Sequence, residues 1–351
     1  MSKKILRTWK HLLPALVLMV LSCKQESGDA ALEGSNEEAT VASADPLPSW
    51  NEGAAKSAII EFVTAATTEG SDGFIPVKDR IATFDNDGNL WAEQPVYFQL
   101  LFAIDRIKLM AEQHPEWKNE EPYKSILEGN LKNIEAQGMQ GIVKLVMTTH
   151  AGMSPQEFRK IVQDWMAFAT HPKTGKPYNQ MIYEPMLELL NYLRDHEFKT
   201  FIVSGGGVEF MRAWAEVTYG IPPYQVVGSS IKTEFVIENG QAVIKRLPEM
   251  EFIDDKEGKP IGINRFIGKI PVFASGNSDG DLQMLLFSDS RDPSFQLYLH
   301  HTDSIREWAY DRDSHIGKLD KGLDEALARG WTVIDMANDW KTVFPETNND
   351  E

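Results

Sequence analysis

The pattern of apolar and polar positions along the chain predicts strands that alternate with helices. Runs of apolar and β-branched residues at 81–84, 198–203 and 270–274 predict buried strands. Apolar residues with a helical spacing at 52–68 and 185–193 predict helices that pack against those strands. This alternation is typical of an α/β fold, and we predict a doubly wound, mostly parallel, Rossmann-like sheet.

The stretch between residues 95 and 181 interrupts the alternation. Helical patterns follow one another there, at 98–113, 123–136, 142–147 and 155–168. No convincing strand pattern separates them, and the connections between strands of an α/β fold are usually far shorter. We therefore predict a helical cap at 95–181, inserted into a core formed by residues 49–94 and 182–351.

The carboxyl-terminal half adds a hairpin and a further predicted helix. The pair Asn239-Gly240 joins two strand patterns and is typical of a two-residue hairpin turn, so we predict a small, structural β-hairpin. Ser304 and Glu307 have the spacing of a capping box, which predicts that a helix begins there.

The first 23 residues have the pattern of an exported bacterial precursor. Four basic residues precede an apolar run at 12–21 that is too short to span a bilayer stably. The sequence Val-Leu-Ser-Cys ending at Cys23 resembles a lipobox, and Cys23 is the single cysteine of the chain. We expect residues 1–22 to be a signal peptide and Cys23 to be lipidated. The product would be an exported lipoprotein, anchored to a membrane of the cell envelope or periplasm.

Composition and charge indicate which classes of binding partner to expect. The chain has 35 Lys and Arg against 52 Asp and Glu, a net charge of −17 at pH 7. Such a surface repels polyanions, and no basic patch is evident, so we expect no nucleic acid partner. Residues 23–48 are acidic and lack apolar periodicity, which predicts a disordered tether. A single cysteine also excludes an internal disulfide.

Polar residues follow three of the predicted strands at the point where each strand ends. They are Asp85 and Asp87 after the first strand, Ser204, Gly205 and Gly206 after the second, and Asn277, Asp279 and Asp281 after the third. Lys259 lies a short way upstream of the third strand. Because ligands of open α/β folds bind at the carboxyl ends of the strands, we expect these side chains to share one crevice.

Each of these groups also has a simpler interpretation. Asp85 and Asp87 could hold a divalent metal ion, or they could form an acidic turn. Ser204 and the bare N–H groups after it could hold a phosphate oxygen, or they could form a flexible turn. His150 and His171 are more simply interpreted as packed or surface residues than as ligands.

Acid pair, hydroxyl, lysine and acidic loop, in that order, resemble the haloacid dehalogenase (HAD) superfamily. The likeness is closest to its phosphoserine-phosphatase-like branch, which has a helical cap between the first and second motifs. The resemblance implies that Asp85 attacks phosphorus and carries an aspartyl-phosphate, while Asp87 serves as general acid and then base. It implies that Ser204 holds a phosphoryl oxygen and that Lys259 balances charge on the nucleophile and the phosphate.

The resemblance also implies a magnesium ion (Mg²⁺), bound by Asp85, the main-chain carbonyl of Asp87, Asn277 and Asp281. Asn277 stands where the family commonly has aspartate, so we expect weaker magnesium binding than is usual, or direct help from Asp279 or Asp281. Asn89 likewise stands where the family usually has threonine.

Several neighbouring residues remain open at this point. Lys269 is a rival to Lys259, but it is too close to the third strand to turn back into the crevice. Glu93 follows the acid pair, and we expect it to be an exposed charge rather than a substrate contact. For three residues after a later predicted strand, contact with a ligand is an alternative to ordinary packing: His300, His301 and Asp303.

Two functions from different classes follow. The first is a tethered, metal-dependent phosphomonoesterase that acts outside the cytoplasm on small phosphate esters, with the cap closing over the substrate. The alternative is a non-catalytic lipoprotein that uses the fold as a binding or assembly module. The acid pair favours the enzyme, while the sequence specifies neither the ester nor the oligomeric state.

Overall fold

A computed structural model describes residues 45–130, 133 and 138–346 of the chain. The predicted signal peptide, the lipidation of Cys23 and most of the predicted tether lie outside the described residues. Within those ranges, no helix is both long and apolar enough to cross a membrane.

Eight strands in the described part of the chain form one sheet, with β1 near its centre. The strands are β1 (Ile81–Phe84), β2 (Lys199–Gly207), β3 (Val226–Glu238), β4 (Gln241–Phe252), β5 (Phe273–Gly276), β6 (Phe295–Thr302), β7 (Ala309–Tyr310) and β8 (Thr332–Asp335). They lie in the order β4-β3-β2-β1-β5-β6-β7, and β8 also pairs with β6. Only the β3/β4 and β6/β7 pairs of the described sheet are antiparallel. The predicted α/β fold with a mostly parallel sheet is confirmed.

Helices cover both faces of this sheet. They are α1 (Ala54–Thr67), α2 (Phe98–Met110), α3 (Tyr123–Leu127), α4 (Gly138–His150), α5 (Pro155–Phe168), α6 (Glu184–Asp195), α7 (Val208–Arg212), α8 (Ala215–Tyr219), α9 (Gly258–Phe266), α10 (Leu282–Asp289), α11 (Lys321–Arg329) and α12 (Met336–Asp339). Successive residues of one strand point to opposite faces. Ile202 therefore packs in the cluster that contains α1 and α6, and Val203 in the cluster that contains α9 and α10.

The helices between β1 and β2 occupy the region of the predicted cap. α5 begins as its sequence suggests, because Ser154 Oγ accepts the Glu157 N–H at 3.2 Å and the Glu157 carboxylate accepts the Ser154 N–H at 2.8 Å. α2, α3 and α4 enclose a small apolar cluster of their own, which includes Ile107, Trp117 and Leu145. The boundaries at 95 and 181 remain a prediction.

The predicted hairpin is present and is longer than expected. Asn239 and Gly240 have φ values of 50° and 79°, as a two-residue hairpin turn requires. β3 pairs with β2 at its start and with β4 over the rest of its length. The hairpin then packs on the segment after α4, where the Gly152 N–H donates to the carbonyl of Arg246 at 2.8 Å. It thus connects the edge of the sheet to the helical region.

Two local predictions are wrong. No helix begins at Ser304, because the side chain of Asp303 accepts the N–H groups of Ile305 and Arg306 in a turn, and Glu307 faces inward. The predicted tether also extends too far. Leu47 is fully buried, and the side chain of Asp45 pairs with Lys56 at 2.7 Å, so the described body already begins at residue 45.

Trp50 anchors this first segment to the end of the described chain. Its ring is buried and meets the ring of Trp340 edge to face, with centroids 5.9 Å apart. The Asn51 N–H donates to the carbonyl of Asp339 at 2.8 Å. The described body is therefore closed by contacts between its two ends.

Candidate active site

Parallel pairing brings the ends of β1, β2 and β5 together. Phe84 lies opposite Ile202 on one side and Ser275 on the other, and the Asp85 N–H donates to the carbonyl of Ser275 at 2.9 Å. A cavity of about 910 Å³ opens at this edge of the sheet. The predicted site residues that line it are Asp85, Asp87, Ser204, Gly205, Gly206, Lys259 and Asp281. Sheet register thus gathers side chains that are far apart in sequence.

Lys259 lies in the first turn of α9 and is buried between two carboxylates. Its Nζ is 2.6 Å from Asp85 Oδ1 and 2.8 Å from Asp281 Oδ1, and it donates to the carbonyl of Val203 at 2.7 Å. Burial opposes its charge, but the carboxylates of Asp281 and Asp85 outweigh burial and raise the pKa of Lys259. The rival Lys269 instead pairs with Asp79 at 2.7 Å.

Burial also changes the acidity of the two aspartates at the end of β1. It raises the pKa of Asp85 to about 7; the charge of Asp281 adds to this effect and that of Lys259 opposes it. Burial raises the pKa of Asp87 to about 6, although the Trp91 Nε1–H donates to Asp87 Oδ1 at 2.6 Å and favours the carboxylate. Asp87 can therefore carry a proton close to neutral pH.

The glycine loop after Ser204 approaches Asp87 closely. A Cβ atom on Gly206 would lie 3.4 Å from Ser204 Oγ and 3.6 Å from Asp87 Oδ2. Ser204 Oγ accepts the Gly206 N–H at 3.2 Å, and the Gly207 N–H donates to Gln99 Oε1 at 2.7 Å. Side chains thus hold the loop in place. Since Ser204 Oγ already accepts a hydrogen bond, its own hydroxyl hydrogen is available to a ligand.

The turn after β1 depends on Gly88 and Asn89. Gly88 has a φ of 76°, and a Cβ there would lie 2.1 Å from Asn277 Nδ2. Asn89 Nδ2 donates to the carbonyl of Asp85 at 3.1 Å, while Asn89 Oδ1 accepts the hydroxyl of Ser275 at 2.9 Å. Asn89 therefore connects the turn to β5.

Asn277 is the residue that best indicates a cation site. Its Oδ1 is buried and has no hydrogen-bond partner in the described part of the chain, whereas its Nδ2 donates to Glu93 Oε1 at 2.8 Å. An orphaned, buried amide oxygen directly after β5 suits Mg²⁺, which prefers oxygen ligands. No group of three His, Cys, Asp or Glu side chains among the described residues is placed to hold a metal ion. The residues present therefore fit magnesium with fewer charged ligands than three carboxylates would supply.

Asp281 has other partners that compete with a metal. Its Oδ2 accepts the N–H groups of Asn277 and Ser278, both at 3.0 Å, and its Oδ1 pairs with Lys259. This carboxylate fixes the loop after β5 and positions the lysine. Asp279 points elsewhere, because its Oδ1 accepts N–H groups at the start of α11.

Glu93 is buried, and the expectation of an exposed charge is wrong. Its Oε1 accepts the hydroxyl of Tyr310 at 2.7 Å as well as the amide of Asn277. Burial raises the pKa of Glu93 well above its usual range. The sequence could not indicate this, because the two partners lie about two hundred positions downstream of Glu93.

The histidines differ in their relation to the cavity. His301 Nε2 contacts the carbonyl of Gly88 at 2.7 Å, so it supports the turn after β1. His300 pairs with Asp311 and Asp303 with Arg306, which leaves these two outside the lining. His171 is packed, as expected. His150 is also buried, yet it lines the cavity, where its Nε2 lies 3.0 Å from Gln99 Nε2.

The hairpin has a role that the sequence did not suggest. Ile231, Thr233, Ile244, Arg246 and Met250 of β3 and β4 line the cavity. The predicted structural hairpin is therefore also a wall of the candidate site.

No protein-family model matches the sequence, and no curated protein matches it. Among solved structures, the chain is similar to a conserved protein of unknown function from Anaerococcus prevotii DSM 20548. Identity is 17%, with 80% of this chain and 91% of that one covered, and the TM-score is 0.47. A protein of unknown function from Bordetella pertussis Tohama I has 15% identity, coverage of 73% and 98%, and a TM-score of 0.44. A HAD family hydrolase from Salmonella enterica subsp. enterica serovar Typhi has 13% identity, coverage of 74% and 68%, and a TM-score of 0.36. These similarities assign no activity to the chain.

Proposed function

We propose that this protein is a magnesium-dependent phosphomonoester hydrolase of the HAD type that works through an aspartyl-phosphate. The observation that carries the proposal is the buried ion pair of Asp85 and Lys259 in a cavity that Asp87 and Ser204 also line. We further propose that the enzyme acts outside the cytoplasm on small phosphate esters, anchored through a lipidated Cys23.

In the first step, Asp85 attacks the phosphorus of the ester. Lys259 holds Asp85 Oδ1 at 2.6 Å, which leaves Oδ2 as the attacking oxygen. A bond forms between Asp85 and phosphorus while the ester P–O bond breaks, and its electron pair goes to the leaving oxygen. Magnesium, when bound by Asp85 and Asn277, would neutralise charge on the phosphoryl oxygens.

Asp87 supplies the proton that the leaving oxygen needs. Trp91 holds Asp87 Oδ1, and Oδ2 lies toward Gly206, on the side where the phosphoryl group would bind. With a pKa of about 6, a minority of Asp87 side chains carry this proton at neutral pH. A positioned general acid of this kind typically contributes about 10²–10⁴-fold to the rate.

The second step releases the product. A water molecule attacks phosphorus, Asp87 takes its proton, and the bond between Asp85 and phosphorus breaks to give inorganic phosphate. Ser204 donates its hydroxyl hydrogen to a phosphoryl oxygen in both steps, while Lys259 stabilises the carboxylate of Asp85 when it leaves.

The test uses the purified full chain and p-nitrophenyl phosphate with magnesium. We expect the wild type to hydrolyse the ester and Asp85→Asn to lose all measurable turnover, because the amide is not a nucleophile. Asp72→Asn, which changes an exposed carboxylate, is the matched control and should keep full activity.

Turnover that survived Asp85→Asn would refute the mechanism. A wild type that hydrolysed no ester in a broad panel would favour the alternative, a non-catalytic binding module.

A further inference from the structure

The cavity is much larger than a phosphoryl group. Its volume of about 910 Å³ lies in the upper part of the range for small-molecule sites. Beyond the catalytic carboxylates its wall is largely apolar, with Leu100, Ile142, Val146, Ile231 and Ile244 among its lining residues. The part of a substrate next to the phosphate therefore has both space and apolar surroundings.

Arg246 is a charged residue in this apolar part of the wall. It lies on β4, and its side chain is only 5% exposed. Its Nη1 is buried and has no hydrogen-bond partner in the described part of the chain. The guanidinium carbon lies 3.9 Å from the centre of the Phe158 ring. Stacking occupies one face of the guanidinium, so its N–H groups, which lie in the plane, remain to bind oxygen.

No ion pair among the described residues neutralises Arg246. The carboxylate whose charge acts on it is Glu209, which is already bound by Arg159 at 2.6 Å and by Arg212 at 2.9 Å. Burial lowers the pKa of Arg246 to about 10, which still leaves it protonated at neutral pH. Three arginines therefore share one glutamate in a chain whose net charge is −17.

The other basic residues of the cavity wall have different surroundings. Lys259 is engaged by Asp85 and Asp281, and Arg212 by Glu209 and two main-chain carbonyls. Arg265 is exposed. Among the described residues that line the cavity, Arg246 is thus the basic residue that is buried, charged and has an N–H group without a hydrogen-bond partner.

Contacts connect Arg246 to the glycine loop. The Gly207 N–H is bound by Gln99, whose Nε2 lies 3.0 Å from His150 Nε2. The His150 ring packs on Phe158, the ring on which Arg246 stacks. Since Ser204, Gly207 and Arg246 also line the same cavity, one substrate could contact both the proposed phosphoryl site and Arg246.

We propose that Arg246 binds a second anionic group of the substrate. The substrate is then a phosphate monoester whose organic part carries another acidic group, a carboxylate or a second phosphate. A guanidinium suits either one, because its N–H groups match paired oxygens and it stays charged when buried. This inference rests on the proposed function and adds the substrate class.

The experiment compares matched esters on the full chain with magnesium. 4-Carboxyphenyl phosphate and 1,4-phenylene bisphosphate carry a second anion, and 4-(hydroxymethyl)phenyl phosphate does not. We expect Arg246→Met to lower kcat/KM for at least one anionic ester by about tenfold or more, mainly through KM, because a charged hydrogen bond is lost. The neutral ester should change by less than about threefold. Which anionic ester responds more distinguishes carboxylate from phosphate.

Two further variants test the assignment. Arg246→Lys keeps the charge without the planar fork and should recover part of the selectivity. Arg329→Met removes an arginine that also lies over an aromatic ring, that of Trp331, but is outside the cavity lining, and it should leave the ratio between the esters unchanged. An equal loss on neutral and anionic esters in Arg246→Met would show a structural role and overturn the inference.

Binding separates this inference from the proposed function. Calorimetry with Asp85→Asn, with and without Arg246→Met, measures affinity for the same esters in the absence of turnover. If the wild type hydrolyses the esters but neither binding nor turnover depends on the second anionic group, the inference fails and the proposed function stands. If no ester is hydrolysed but Arg246 still selects the anionic ester, the anion site stands and the proposed function fails.

Discussion

At the scale of single residues, the amide of Asn277 has two tasks that a carboxylate cannot share. Its Nδ2 donates to the buried Glu93, which leaves Oδ1, without a hydrogen-bond partner in the described part of the chain, to act as the proposed metal ligand. An aspartate would add charge toward a metal, but it would also face Glu93 without a hydrogen to donate. The effect of a substitution at Asn277 therefore depends on the residue at position 93.

We predict that Asn277→Asp alone will not strengthen magnesium binding and will destabilise the fold by roughly 1–3 kcal/mol, since the buried Glu93 loses one of its two donors and meets a second carboxyl group instead. The double variant Asn277→Asp with Glu93→Gln restores a donor at position 93. It should recover the stability and bind magnesium more tightly than the wild type. Calorimetric titration of Mg²⁺ and urea unfolding measure the two effects.

The single variant Glu93→Gln is the control, because it keeps Asn277 and changes only the charge behind it. Tighter magnesium binding in Asn277→Asp alone, equal to that of the double variant, would contradict this coupling.

At the scale of elements, the turn that follows β1 determines the shape of the site. Gly88 requires a positive φ, and an added Cβ would also collide with Asn277 and Glu93. Gly268 has a similar φ of 72°, but a Cβ there would meet no atom within 4 Å. The two glycines therefore share backbone strain and differ in crowding.

Gly268→Ala should cost about 1 kcal/mol, the strain of a left-handed alanine. Gly88→Ala should cost at least about 2 kcal/mol more, because overpacking adds to the strain, and it should also weaken magnesium binding. Urea unfolding of both full-chain variants measures the difference. If Gly88→Ala and Gly268→Ala were equally destabilised, the contact of Asn277 with Glu93 would not depend on the turn at Gly88.

Elements with local signals were predicted correctly from the sequence. α5 has its capping residues beside it, and the hairpin has its Asn-Gly turn, so neighbours in sequence determine both. The predicted helix at Ser304 was wrong although its spacing was suitable, because Glu307 is buried with His301 and Tyr183 instead. Contacts between distant segments decided that case.

In the candidate site, too, some residues could be predicted from the sequence, and others depend on contacts between distant segments. Asp85 and Ser204 could be found because each lies at a strand end, and parallel strands bring their ends to one edge. Lys259, in the first turn of α9, could be found only through the order of motifs that resembles the HAD superfamily. Glu93 and Arg246 could not be found in this way. Glu93 depends on Tyr310, and Arg246 on Phe158 and the segment after α4, and no periodicity in the sequence encodes those contacts.

At the scale of the whole molecule, buried carboxyl groups make stability depend on pH. Asp254 is fully buried, and burial raises its pKa to about 8. Its pKa in the unfolded chain is about 4. The folded state therefore binds the proton more tightly. The resulting stability is complete below about pH 4 and is lost as pH rises toward 8.

We predict that Asp254→Asn, which stays neutral, will gain stability relative to the wild type as pH rises from 5.5 to 8.5. The gain should be roughly 3 kcal/mol over this range. His150 and His171 act in the opposite direction, since burial lowers their pKa values, so the comparison is made between variant and wild type. Thermal unfolding at several pH values, without metal, measures it. Asp255 lies beside Asp254 and is less buried, so Asp255→Asn should show a smaller gain in stability. If the stability of Asp254→Asn and of the wild type changed with pH in parallel, the prediction would be wrong.

β3 is a single strand that begins inside the sheet and ends in the wall of the cavity. Gly228 lies opposite Ser204, and Thr233 lies opposite Arg246. Five steps along β3 separate these pairs, and β3 is irregular between Ser230 and Thr233, so it runs shorter there than a regular strand. One strand therefore fixes the spacing between the proposed phosphoryl site and Arg246. Under the proposed function, backbone geometry then limits the length of a substrate as well as its charge, and we expect inserting or deleting residues in β3 to change which length is bound.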